Sequence, residues 1–397
     1  MIKKPFPLLL NLSLLIAVFQ ASPALAELIS VHDSKSLVSA TSRAQPGDII
    51  SLAAGHYGNG ISISKLNGSK DKPIIISAAD PKNPPLFEGG KVALHLSSCN
   101  YLTLSHLVIS GCQTNGINAD DGGLLDTPSL GLVFKNITIK NIGPTGNRDG
   151  LKLSGLKHFT VSNCHFSGWG GSAIDMVGCR EGLIHQSRFY GKDGFSQSSG
   201  IQTKGGSENI RIESNYFNQA GDRAINLGGS TGLAFFRPEV RDFEAKSISV
   251  SGNRFLGSQA PIVFATSIEC QVRHNTFVSP GKWVIRILQE QPTDRFKPCQ
   301  KGDFSSNLIV YSRQIRTFVN VGEHTKAETF SFRNNAWFCI DGNQRPSLPV
   351  KEIEGVYQID PKVIDQGTAR LRATSQHPLL QKIGARAFTP PPVPLTQ

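Results

Sequence analysis

The chain of 397 residues has only two methionines and three tryptophans, and none of its seven cysteines forms a Cys-x-x-Cys pair. That absence argues against zinc ribbons and thioredoxin-like redox sites, and no His/Cys spacing matches a zinc site. Beyond the first twenty-six residues there is no long apolar run, so no membrane-spanning helix is expected. No block of lysine or arginine occurs; the net charge of +11 is dispersed along the chain. Dispersed charge weakens nucleic acid and membrane surfaces as partners. From 91 to 340 no long helical period is found, which disfavours alternating strand–helix folds. Hydrophobic residues make up 39% of the chain, too many for a disordered protein.

What is present begins with an export signal. Lys3 and Lys4 precede an apolar run from Leu8 to Phe19, and Ala24-Leu25-Ala26 follows as a small-x-small cleavage site. Residues 1–26 are therefore expected to be removed, leaving a monomeric periplasmic or secreted protein. Loss of Lys3 and Lys4 leaves a charge of +9. A basic exported protein favours an anionic partner, here an acidic polysaccharide. In an oxidising compartment Cys270, Cys299 and Cys339 are the disulfide candidates, while Cys112 and Cys164 read as core thiols.

A repeated triplet organises the rest. Asn-x-Phe-like segments begin at Asn136, Asn163, Gln186, Asn215, Asn253, Asn275, Asn307 and Asn335, at intervals of 22 to 38 residues. Such a period marks a solenoid whose coils bury their apolar faces against each other. Asn suits a sharp bend, and the aromatic residue after it is expected to stack inside the coil. Short strands with Gly, Asn and Ser turns and no helices between them predict a single-stranded parallel β-helix. Residues 27–90 form an N-terminal cap and the first coils, with a helix over 35–44 and strands over 49–57 and 73–79. Residues 91–340 form the β-helix, and 341–397 a tail that packs on it and ends in disorder.

A second alignment fixes the register. One apolar column reads Ile117, Leu151, Ile174, Ile201, Ile225, Ile262 and Ile285; a second reads Ala119, Leu153, Met176, Thr203, Leu227, Phe264 and Ile287. Period-two alternation turns both inward. The column between them, Asn118, Lys152, Asp175, Gln202, Asn226, Val263 and Arg286, is then on the outer face. Strands just under 5 Å apart make it a strip long enough for several sugars. An insertion over 229–247 brings Phe235, Phe236, Arg237 and Arg241 over one face. Asp149 and Asp175 are candidate paired carboxylates for glycoside hydrolysis, and with nearby Asn oxygens a candidate calcium set.

The opening PGDIISLAAGHY with GSKDKPIIISA, and the ending DPKVID…ARLRATSQHPLLQKIGA, resemble exported right-handed parallel β-helix proteins that act on polysaccharides. The likeness is strongest to the lyases that include chondroitinase B and β-helical alginate lyases. In GIQTKGGSENIRIESNYFNQAGDRAINLGG (200–229) Lys204 matches the family lysine, whose implied role is removal of the C5 proton of a uronate. The family arginine falls on Asn226, and Arg223 is the nearest guanidinium. The family's calcium ion is implied by acids before the lysine; here FSQSSGIQ carries Gln197 and Ser199 instead. The resemblance thus implies a polysaccharide lyase with Lys204, Arg223 and Asn226 catalytic. Lys152, Asp175, Gln202, Arg286 and Arg237 would bind an acidic, uronate-containing chain. A glycoside hydrolase, a uronate epimerase or a noncatalytic glycan-binding protein are the alternatives on such a fold.

Overall fold

The computed structural model describes residues 1–2, 26–364 and 371–391. The export signal expected over 1–26 lies almost wholly outside the described residues, as does 392–397 of the tail. The remainder winds through three long parallel sheets, two of twelve strands and one of ten. Each coil contributes a short strand to one twelve-stranded sheet, turns through a two-residue bend into the other, and then runs along the ten-stranded sheet. In one coil these strands are Arg211–Glu213, Tyr216–Asn218 and Arg223–Gly228.

The bend shows why the triplet recurs. Asn215, Asn253, Asn275, Asn307 and Asn335 are fully buried. Each Oδ1 from Asn253 to Asn335 accepts the preceding rung's backbone N–H at 2.9 Å and its side-chain amide at 3.0–3.1 Å. The last rung donates to Glu352 Oε1 at 2.8 Å, whose Oε2 takes the Trp337 and Tyr357 protons. A buried amide is stable there because its hydrogen-bonding groups are satisfied.

Three expected rungs are displaced. Asn136, Asn163 and Gln186 take the left-handed residue before the rung, with φ of 56°, 53° and 53°. Their equivalents in later coils are Ser214, Gly252 and His274. The rung positions of the Asn163 and Gln186 coils are held by Cys164 and Ser187: Cys164 N–H donates to Ser187 Oγ, and Ser187 N–H to Asn215 Oδ1. The reason is spacing. In NCHF and QSRF the aromatic residue comes three positions on, in NYF two, and the stacked ring fixes the register. Phe166, Phe189, Phe217, Phe255 and Phe277 stack at 4.6–5.0 Å.

At the start, helix Ser34–Arg43 covers the first coil, with Asp33 and Ser36 forming a capping box and Leu37 and Ala40 buried. The strand expected over 49–57 is two: Ile49–Leu52 and His56–Gly58 lie in different sheets, separated by a bend at Gly55 with φ 146°. At the other end Val356–Tyr357 adds to a long sheet, and Leu380 and Ile383 pack with Leu308, Val310 and Ala336. All seven cysteines are free and buried, so the pairing expected among Cys270, Cys299 and Cys339 does not occur. The chain winding puts these residues on inward positions of separate coils, where each fills core space.

Candidate functional site

The ten-stranded sheet carries the outward strip. Its strands pair in parallel with Asn118 beside Lys152, Lys152 beside Asp175, Asp175 beside Gln202, Gln202 beside Asn226, Asn226 beside Val263 and Val263 beside Arg286. Both apolar columns flanking it are buried. His95 precedes Asn118 and Asn320 follows Arg286 in the same row.

The strip holds two charged groups. In the first, Lys152 Nζ donates to Asp149 Oδ2 at 2.9 Å and to Asp175 Oδ2 at 2.8 Å. Lys204 Nζ sits 3.0 Å from the other oxygen of Asp175 and 3.5 Å from Gln202 Oε1. Asp149 and Asp175 are fully buried, while the Lys204 and Lys152 side chains keep 16% and 26% of their surface. Burial raises Asp149, and the charge of Asp175 adds to it against the pull of Lys152. Burial also works on Asp175, but Lys204 and Lys152 outweigh it and hold that carboxyl below its ordinary value. The environment thus shifts the two carboxyls apart, Asp149 upward and Asp175 downward. Burial opposes the charge on Lys152, yet Asp175 and Asp149 outweigh it and raise its pKa.

The second group lies further along the solenoid. Arg223 pairs with Glu290 at 2.8 Å. Arg286 donates to Asn320 at 2.9 Å and lies 4.4 Å over the Trp283 ring, which Lys282 also approaches at 4.3 Å. Trp283 packs on Ala260 and Val263, which explains the apolar residue in an otherwise polar row. Arg223 is therefore not a member of the Lys204 group. Its register partner on the Lys204 strand is Ser199, five residues upstream, about 16 Å along the strand. Asn226 lies between the two groups, its Nδ2 donating to Gly228 O at 3.3 Å and its buried Oδ1 without a partner among the described residues.

The insertion makes a wall along one edge. Arg237 is spent on the buried Asp121, at 2.7 Å, and is not available on the strip as a binding residue. To reach it the loop runs back across the strand ends. A Cβ at Gly178 would meet Arg237 Cβ at 2.5 Å, so only glycine admits the crossing there. Glu244 anchors the loop, accepting from Gly205 N, Thr231 N and Thr231 Oγ1 at 2.6–2.7 Å. Phe236 is buried, and Phe235 stands exposed on the loop.

Calcium does not fit the residues expected to hold it. The ammonium of Lys152 occupies the position between Asp149 and Asp175. Gln197 is used by the backbone of Lys192, and Ser199 is buried. Among the described residues no three His, Cys, Asp or Glu side chains gather as a metal site, and no helix is long and apolar enough to cross a membrane.

Sequence reasoning missed Trp283, Glu290 and the Asp121–Arg237 pair. Trp283 was visible as one of only three tryptophans, three residues before Arg286. Glu290 and Asp121 stand just outside the strands and carry no periodic signal.

Residues 92–277 match the family model described as right handed beta helix region. No curated protein matches the chain in sequence. Among solved structures it is similar to an alginate lyase from Paenibacillus sp. str. FPU-7, at 18% identity over 84% of this chain and 99% of that one, with a TM-score of 0.50. It is also similar to a mannuronic acid specific polysaccharide family 6 lyase from human gut microbiota, at 15% identity, 84% and 82% coverage and a TM-score of 0.53. A GH136 lacto-N-biosidase from Eubacterium ramulus aligns at 12% identity, 84% and 68% coverage and a TM-score of 0.58. The chain is a right-handed parallel β-helix, a fold it shares with both polysaccharide lyases and glycoside hydrolases.

Proposed function

We propose that the protein is an exported polysaccharide lyase that cuts an acidic, uronate-containing chain by β-elimination on the outer face of the ten-stranded sheet. The observation that carries this reading is the Lys204–Asp175–Lys152 chain of contacts, with the carboxylates buried and the amines reaching the surface. A sugar meets the lysines, not the acids. That disfavours hydrolysis by Asp149 and Asp175, which requires two carboxyls flanking the scissile bond.

Elimination needs a base for the C5 proton, neutralisation of the sugar carboxylate, and a donor for the leaving oxygen. Lys152 contacts two carboxylates and remains charged. Lys204 contacts one and shares it with Lys152; as the free amine, its own proton first given up to solvent, it is assigned to take the C5 proton and return it to the leaving glycosidic oxygen. Gln202 and Asn226 present amides beside it to orient the ring. Arg223 and Arg286, further along the face, hold the carboxylate of a neighbouring sugar. The structural neighbours named for alginate and mannuronic acid support the substrate class by analogy of fold.

The test is a screen of acidic polysaccharides followed by unsaturated-uronate absorbance and by reducing ends. Lys204→Ala is expected to lower turnover by on the order of 10² or more, with the fold and much of the binding retained. Near-normal turnover in that variant would remove Lys204 as the base. New reducing ends without the absorbance would point to hydrolysis.

A further inference from the structure

We propose that the first coils hold a second carbohydrate subsite, which grips one acidic sugar of the same chain well away from Lys204. The proposal rests on the polysaccharide reading above and adds a length requirement to it.

A cavity of about 380 Å³ opens at the start of the ten-stranded sheet, lined by Asn59, Ser62, Lys91, Val92, His95 and Asn118. It includes none of the residues of the Lys204 group. Ser62, His95 and Asn118 belong to the same outward row as Lys152, Asp175 and Gln202. One straight row therefore joins cavity and lysine. His95 and Gln202 are four strand spacings apart, about 19 Å.

The lining has the chemistry of a hydroxyl-rich anionic ring. Lys91 is exposed and has no carboxylate partner among the described residues. His95 Nε2 meets Asp120 Oδ2 at 2.6 Å, and Asp120 Oδ1 is held by Ser97 Oγ and Gly122 N. In the tautomer that donates Nε2–H to this carboxylate, Nδ1 is the acceptor for a sugar hydroxyl. Asn118 Oδ1 is used by Asn115 Nδ2 at 2.9 Å, so the Asn118 amide hydrogens are left to donate. Ser62 adds a hydroxyl, and Val92 an apolar patch for a ring face. A phosphate would call for several converging cations, and a nucleobase for an aromatic platform; the lining has one lysine and no Phe, Tyr or Trp.

A chain laid along the row, at about one sugar per strand, reaches from Lys204 to this cavity with about five sugars. Engagement of the distant sugar fixes which linkage sits at Lys204. The subsite is thus a register device for cutting inside a chain.

The experiment uses the full-length mature protein carrying Lys204→Ala, with size-fractionated oligomannuronates and oligogalacturonates from disaccharide to octasaccharide, followed by calorimetry. Affinity is expected to rise to about the pentasaccharide and then level. Adding Lys91→Ala, an exposed position, is expected to cut the ratio of pentasaccharide to trisaccharide affinity about tenfold, the worth of one charged hydrogen bond. His95→Gln should lower the same ratio, with melting temperature confirming the fold of each variant. A plateau at the trisaccharide, or a ratio indifferent to Lys91→Ala and His95→Gln, overturns the subsite and leaves the lyase reading standing. Absence of binding at every length, in variant and parent alike, overturns the polysaccharide reading and the subsite with it.

Discussion

At the scale of the residue, the buried carboxylates separate by environment. Asp175 faces two ammonium groups and is held below its ordinary value of 3.8; Asp149 is pushed above it by burial and by Asp175. Their contributions to stability therefore run in opposite directions with pH. A lowered carboxyl stabilises the fold above the unfolded pKa, and the stabilisation is lost as pH falls through the folded value. A raised carboxyl stabilises below the unfolded pKa and loses that contribution as pH rises through the folded value. Asp175→Asn leaves two partly buried amines short of a counter-charge, with an expected cost of about 3–5 kcal/mol near neutrality. That cost should shrink as the medium is acidified below 3.8. For Asp149→Asn the difference from the parent should instead fall as pH rises above 3.8. Melting temperatures of the three proteins across acid to neutral pH check both slopes.

At the scale of the element, the asparagine row ties each coil to the next. Asn275 donates to Asn307 Oδ1 and to Val250 O, and accepts from Asn253 N and Nδ2. Asn275→Ala leaves those buried groups unpaired, at about 2–4 kcal/mol. Its unfolding midpoint in denaturant should fall accordingly. Ser187→Asn places an amide where a hydroxyl now ends the row, beside the existing acceptor Asn215 Oδ1. The loop over 229–244 depends on one pair in the same way. Arg237→Ala exposes no new charge to solvent but leaves Asp121 buried alone. Limited proteolysis is expected to cut that variant between Leu233 and Arg241 at protease concentrations the parent resists.

At the scale of the whole molecule, charge and redox state are the properties to measure. Its formal charge of +11 and the partly exposed cations of its outward strip predict polysaccharide binding that weakens steeply with salt, since solvent-facing charges are screened within about 10 Å at 0.1 M. Arg286→Glu should weaken it further at low salt, and salt-independent binding would contradict the charge-based reading. Burial raises Cys112 and Cys299 to about 11 and Cys164, Cys179 and Cys270 to about 12. Such thiols are almost wholly protonated at neutral pH. A thiol reagent should find none of the seven in the folded protein and all seven after unfolding, and reductant should leave the melting temperature unchanged.

The coil period, the two inward columns and the outward row between them were legible from residue order alone. Alternation in a strand has a period of two, and a solenoid repeats its strands in register, so one-dimensional spacing already determines which side chains share a face. The same spacing misled at Asn136, Asn163 and Gln186, because a local triplet does not say whether the inward residue of the stack (Ile139, Phe166, Phe189) comes two or three residues later; the stack decides. Partner choice was beyond the sequence. Arg223 was expected beside Lys204 and goes to Glu290; Arg237 was expected on the sugar face and goes to Asp121; Lys152 fills the space between Asp149 and Asp175. Apart from Lys152–Asp149, only three residues apart, these pairs join residues from different coils or from segments outside the repeat. A long charged side chain takes the counter-charge within its reach, and that reach is set only when the coils are stacked.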